Sequence, residues 1–288
     1  MILVTGGGGF LGTHVTQALC DLGEDVVIAQ RRGPSPVDVT DPASVRELGR
    51  RFPITRVVHL AAAGLGDGST LDKLWADTLA LFTVLRAAYE WNVERVVLAS
   101  SIGVYAGVTP DDGYYREDVP LPVASPHAIP AAKKIMETVA AVQREVPSVT
   151  ARVGAIWGPL GRPASPFFAA PQLIHQVVRG QQPAAPADDA IDMLYAKDCG
   201  TAVARLVTAA ELRHSAYNIG SGRVTSNREL AAAITRVVPG ARIALTDGGE
   251  TQAALDVARL RADTGFEPEY ALDRAVADYA AWLADHEK

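Results

Sequence analysis

Cysteine is scarce in this chain. Cys20 and Cys199 are its only two, far apart and without metal-ligand spacing, so neither a disulfide framework nor a metal site is expected. An excess of positive charge is missing as well. The formal net charge of −6 excludes general attraction to nucleic acid or to an anionic membrane. Any anion bound here must be met by a local group of donors. Long apolar runs are also absent: none approaches the ~18 residues of a membrane span. The strand-like Met1-Ile2-Leu3-Val4 comes at once, where a signal peptide would need a basic stretch and an apolar core. A reducing, cytoplasmic setting is the expectation. No internal repeat or low-complexity tract interrupts the chain. What remains is an ordinary globular composition, 48% hydrophobic and 21% charged, over 288 residues. That length suits one generous α/β domain, or such a domain with an appended lobe.

The first half alternates short apolar runs with helical patterns, as stacked βαβ units do. Strands are expected at 2–5, 26–30, 56–60, 95–100 and 148–153, with helices at 11–22, 44–51, 71–91 and 131–146. Buried parallel strands read as continuous apolar runs, and these do. Past Trp157 the texture turns to loops rich in Pro and Ala, at 158–171 and 181–190. The fold class expected is α/β: a Rossmann-type doubly wound parallel sheet with a smaller C-terminal substrate lobe. Residues 1–155 would form the dinucleotide-binding core, with parts of 187–235 returning to it. Residues 156–186 and 236–288 would form the lobe.

The strand-to-helix turn Thr5-Gly6-Gly7-Gly8-Gly9-Phe10-Leu11-Gly12 carries most information. It places free backbone N–H groups at a helix N-terminus, where a pyrophosphate sits well. Gly6 permits the tight turn, Gly9 lets a phosphate approach the backbone, and Gly12 lets helix pack on strand. The second strand ends in Gln30-Arg31-Arg32, where NAD-preferring folds usually place an acid on the ribose. A guanidinium can hold a 2′-phosphate that a carboxylate would repel, so NADP(H) is the predicted cofactor. Asp38 and Val39 could approach the adenine edge; Asp38 reads equally well as a turn or helix cap. In Val57-Val58-His59-Leu60-Ala61-Ala62-Ala63, the change from bulky to small residues lets a ligand lie against the strand end. His59 itself reads as a packed core histidine.

Together these motifs resemble the extended short-chain dehydrogenase/reductase family over nearly the whole chain. Further support comes from Ser100-Ser101-Ile102-Gly103-Val104-Tyr105, from Arg152 through Ile156-Trp157-Gly158-Pro159, from Tyr217 through Leu230, and from Thr264-Gly265-Phe266-Glu267-Pro268. The resemblance implies a Ser, Tyr and Lys catalytic set, with Ser101 as the serine. The lysine of Tyr-x-x-x-Lys, followed four residues on by a glutamate, maps to Lys133 and Glu137. That register puts Ile129 where the tyrosine should stand, and the alternative register on Lys134 puts Pro130 there, so the proton donor of the family is missing in either. Two smaller departures follow. The arginine that many members use on a sugar-nucleotide diphosphate appears as Ile191, and the usual asparagine of the central helix appears as Asp77.

Several chemistries survive these losses. Ser101 can donate to a carbonyl oxygen as an oxyanion stabiliser, and Lys133 can bond the nicotinamide ribose. The proton could come from His127, from water or from a phenol of the substrate. Tyr105 and Tyr114 are further phenols within reach of a loop. An apolar Ile129 suits a flat aromatic substrate, and the departures resemble the aromatic polyketide ketoreductases of antibiotic pathways. The first expectation is therefore NADPH-dependent reduction of an aromatic polyketide ketone, a small-molecule partner, by a monomer or homodimer. Ile129, Trp157, Phe167, Phe168 and Met193 are the expected pocket residues, though the aromatics could equally be lobe packing. A non-catalytic NADP(H) redox sensor and a sugar-nucleotide epimerase or dehydratase are the alternatives. Asp192 and Asp198 read as local caps.

Overall fold

In the computed structural model, the described residues are 1–32, 36–63, 68–162, 165 and 167–286. The chain opens with β1 (Ile2–Thr5), α1 (Phe10–Asp21), β2 (Val26–Ala29), α2 (Pro42–Arg51), β3 (Arg56–His59) and α3 (Thr70–Glu90). Next come β4 (Arg95–Ser101), a 3₁₀ turn (Ile102–Tyr105), β5 (Tyr114–Tyr115), α4 (Ala128–Val142) and β6 (Ser148–Val153). The strands alternate sides as period-two geometry requires. Ile2, Val4, Val58 and Val97 face one apolar cluster, while Leu3, Val57, Val96 and Leu98 face another. The helix boundaries have local causes. Asp41 caps α2 by accepting from the Ala43 and Ser44 N–H groups, with Pro42 in the first turn. Helix α4 starts three residues earlier than expected, because Pro130 is tolerated in a first turn. It also ends earlier, at Val142. There the Gln143 amide takes over, bonding the Val146 N–H, the Val146 carbonyl and the Ser148 hydroxyl ahead of Pro147.

The second half contributes β7 (Ala155–Trp157), α5 (Ala170–Val178), β8 (Ala184–Pro186), β9 (Ala190–Ile191), β10 (Met193–Tyr195) and α6 (Ala196–Thr208). It closes with β11 (Ala216–Ile219), β12 (Thr225–Ser226), α7 (Asn227–Val237), β13 (Ala244–Thr246), β14 (Ala254–Leu255), α8 (Ala258–Thr264) and α9 (Leu272–His286). The main sheet is wholly parallel, with strand order β11-β6-β4-β3-β1-β2. Helices α1 and α6 cover one face; α2, α3 and α4 cover the other. Leu260 of α8 and Phe266 join the α1/α6 core, whereas α5, α7 and α9 pack together around Trp157, Tyr195 and Tyr279. Since β1 lies between β2 and β3, the chain reverses direction across the sheet there. The crevice at the C-terminal ends of β1 and β3 is where such sheets take ligands.

A buried ion pair fixes α4 to the sheet. The Arg152 guanidinium on β6 donates from Nε and Nη2 to Glu137 on α4, at 2.7 to 3.1 Å. Ser100 Oγ on β4 donates to the same carboxylate at 2.5 Å. The remaining Arg152 nitrogen, Nη1, donates to the Tyr105 hydroxyl and the Glu117 carbonyl. Arg152 and Glu137 keep only 5% and 10% of their side-chain surface exposed, so removing one partner strands the other charge. Arg152→Met should lower unfolding free energy by about 3–5 kcal/mol. The double variant Arg152→Met/Glu137→Leu should recover most of that loss. Urea titration of the two variants checks both.

Candidate active site

At the switch point, Gly6 and Gly12 sit where a larger side chain would not fit. Gly6 has φ +71°, and a Cβ there would lie 3.0 Å from the Ala61 N. A Cβ on Gly12 would fall 2.1 Å from the Gly6 carbonyl oxygen, so only glycine lets α1 start this close to β1. Gly9 N-caps α1 with extended backbone and no side-chain cap, and the first turn holds no acidic residue. That leaves a helix N-terminus open to an anion. These residues fit the diphosphate of a dinucleotide. Phe10 does not point into open space: it meets the His14 ring edge-on, and a Cβ on Gly161 would touch it. His14 in turn bonds the Pro159 carbonyl at 3.0 Å, and burial chiefly lowers its pKa.

The ends of β1 and β3 are stitched together. Leu60 N–H donates to the Thr5 carbonyl and Ala61 N–H to Thr5 Oγ1, which also bonds His59 Nδ1 at 2.8 Å. Thr5 is thus a buried strut for the loop carrying Leu60, Ala61 and Ala62. On the ribose side, the Gln30 side chain lies over Gly8, and Arg31 and Arg32 are exposed just beyond it. Asp38 is a local cap: its Oδ1 accepts from the Thr40 N–H and hydroxyl. The N–H bond first, then the hydroxyl, hold its pKa down. Val39 is buried in the α2 core.

Ser101 ends β4. Its Oγ accepts from the Gly103 N–H at 3.1 Å, which leaves the hydroxyl hydrogen for a ligand oxygen. Helix α4 brings Ile129 in its first turn and Lys133 one turn on, both half-buried. Lys133, Asp77 on α3, His59 and Ala61 line one small cavity. Asp77 Oδ1 also accepts from the Ala63 N–H at 2.6 Å. Burial lowers the Lys133 pKa, and the Asp77 charge opposes that shift.

Other candidate residues lie elsewhere. His127 is exposed at the N-cap of α4, its ring stacked against Phe167. The Tyr105 hydroxyl is committed to Asn218 and Arg152, and burial pushes its pKa up to about 12. Tyr114 is exposed on β5, away from this cavity's lining. Trp157 and Met193 are buried in the core shared by α5, α7 and α9, and Phe168 packs against it. Trp157 and Met193 do wall a cavity of about 230 Å³ with Arg223 and Tyr270, but Ser101, Ile129 and Lys133 are not among its lining. The Asp192 carboxylate accepts from Ser221, Gly222 and Leu255 N–H groups, and Asp198 from those of Glu269 and Tyr270. Among the described residues, no group of three or more His, Cys, Asp or Glu could hold a metal ion. No described helix is long and apolar enough to cross a membrane.

Residues 2–220 match the NAD dependent epimerase/dehydratase family. The chain belongs to that family. Its cofactor is therefore a nicotinamide dinucleotide, and the protein is an enzyme of an oxidoreductase fold family. UDP-glucose 4-epimerase of Azospirillum brasilense is 27% identical, with 98% of this chain and 91% of the relative aligned. The dTDP-glucose 4,6-dehydratase of Neisseria gonorrhoeae is 23% identical, with 99% and 96% aligned. UDP-glucose 4-epimerase of Thermus thermophilus, solved with NAD, superposes with TM-score 0.82 at 23% identity over 99% of both chains. These relatives overturn the expectation of an aromatic polyketide ketone and of a polyketide ketoreductase. Ile129 and Ile191 each report a polar side chain that is absent, and the inference from them to an aromatic substrate does not hold.

His59 makes the site sensitive to acid. Burial first, and the Lys133 charge second, lower its pKa to about 3 from the usual 6.5. Between those values the unfolded chain binds a proton that the native state refuses. The stability is thus complete above pH 6.5 and lost as pH falls toward 3, by about 1.4 kcal/mol per pH unit. Urea midpoints measured from pH 7 to pH 4 should show this slope, and His59→Asn should flatten it.

Proposed function

We propose that this protein is an NADP(H)-using enzyme of nucleotide-sugar metabolism, acting by oxidation or reduction at a ring carbinol or keto carbon. The observation that carries the reading is Ser101: a hydroxyl with its hydrogen uncommitted, at the strand end beside the dinucleotide crevice. Sugar-nucleotide epimerases and dehydratases aligned over nearly the full chain support the substrate class. When bound, the dinucleotide supplies or takes up hydride. Ser101 donates a hydrogen bond to the substrate oxygen and so favours the form in which negative charge develops. In this reading the glycine turn and the N-terminus of α1 hold the diphosphate, and Lys133 bonds the nicotinamide ribose; its place beside the β3 end with His59 and Ala61 supports that role. Gln30 at the ribose end, followed by exposed Arg31 and Arg32, supports NADP(H) over NAD(H), because no carboxylate stands there to repel a 2′-phosphate.

UDP- and dTDP-hexoses incubated with protein and NADP should give new sugar products or reduced cofactor. Ser101→Ala should lower kcat by about 10²–10³. Absence of any conversion across both nucleotide series would sink the reading. In a cofactor titration, Arg31→Ala/Arg32→Ala should weaken NADPH binding about ten- to a hundredfold and leave NADH binding unchanged.

The outer face of α3 supports a homodimer. Leu71, Trp75 and Phe82 expose 73%, 70% and 52% of their surface along one helix, with Tyr89 beyond them and Ile135 and Val142 on the neighbouring α4. A contiguous apolar stripe of this kind marks an association surface. Light scattering should give a dimer mass, and Trp75→Glu/Phe82→Glu a monomer.

A further inference from the structure

A nicotinamide enzyme that interconverts a carbinol and a ketone must move a proton as well as a hydride, and Ile129 cannot hold one. The phenols and the histidine nearest in sequence are engaged or sit apart: Tyr105 lies buried between Arg152 and Asn218, and His127 is stacked on Phe167 at the surface. His59 bonds Thr5, and with a pKa of about 3 it stays neutral at working pH. Among the described residues, Lys133 and Asp77 are two ionisable groups that line one cavity at the end of β3. Lys133 stands one helical turn beyond Ile129 on α4, and Asp77 faces the same cavity from α3. Asp77 is itself pinned by the Ala63 N–H, on the loop that leaves β3.

We propose that Lys133 is the acid–base group of this site, filling the role vacated at Ile129, with Asp77 as the positioning counter-ion that sets its proton affinity. The proposal rests on the reading of the site as one for carbinol–ketone interconversion. In the oxidative direction the substrate O–H bond breaks and its proton passes to the neutral Lys133 amine. The hydride of the same carbon goes to the nicotinamide dinucleotide, leaving a ketone and an ammonium paired with Asp77. In the reductive direction the ammonium returns the proton to the alkoxide as hydride reaches the carbon. Two opposed influences suit the amine to both directions. Burial disfavours the ammonium, Asp77 favours it, and the third neighbour, His59, carries no charge. An amine titrating nearer the working pH than a free lysine is the better proton shuttle.

The decisive measurement needs neither substrate nor cofactor. Trace acetylation of the apo-protein across a pH series, read by tandem mass spectrometry that separates Lys133 from Lys134, reports the Lys133 titration directly. The midpoint should fall below the ~10.4 of an ordinary lysine, and Asp77→Asn should lower it further. A Lys133 midpoint at the ordinary value, or one unmoved by Asp77→Asn, overturns the proposal. In turnover, Lys133→Met should cost about 10²–10⁴ in kcat with a smaller change in dinucleotide affinity. Asp77→Asn should move the limb of the pH–rate profile set by this group in the same direction as the titration. Full activity in Lys133→Met overturns the assignment but leaves the nucleotide-sugar reading standing. Lack of turnover by the wild type, with the titration as expected, removes that reading and leaves the pair's coupling intact.

Discussion

The buried contact between Arg152 and Glu137 is the constraint around which the candidate-site side of this molecule is arranged. A guanidinium from β6 and a hydroxyl from β4 converge on one carboxylate of α4. A helix lying on a sheet through apolar contacts alone could slide by a fraction of a turn at little cost. A charge held in low dielectric cannot, because each lost bond leaves a group unpaired away from water. Glu137 is one turn beyond Lys133, and Ser100 adjoins Ser101. The clamp therefore lies on the same two elements, β4 and α4, that carry Ser101 and Lys133.

The parallel core was legible in the chain because its signals are local. Strands covered on both faces read as apolar runs, and β1, β3 and β6 fall within a residue of where the pattern puts them. The glycine turn was legible in part for the same reason: Gly12 answers to Gly6 and Gly7 a few residues back, whereas the space at Gly6 is taken by Ala61 from the end of β3. The lobe was not. Its strands are two or three residues long, and β8 meets β13, as β9 meets β12, only across long stretches of chain. No periodicity develops in so short a run. Trp157 and Met193 show the same limit for the site: a large apolar side chain announces burial without saying which cavity it borders.

The departures from the family pattern were visible as absences, and absence carries little information about substrate. Ile129 tells that a phenol is gone; it does not say which molecule the site takes. Asp77 stood out as a substitution, but its meaning depends on a partner across two helices. That Gln30 lies over Gly8, and that Ser100 shares Glu137 with Arg152, are facts of tertiary placement with no signature in spacing.

His14 ties together two regions with different duties. Its ring links α1, the helix whose first turn awaits a diphosphate, to the Pro159 carbonyl in the turn that follows β7. Phe10, on the same helix, closes on Gly161 in that turn. The helix start that would seat the diphosphate is therefore in direct contact with the turn that follows β7. A change at the start of α1 is felt directly at the turn after β7, through the His14 hydrogen bond and the Phe10 contact.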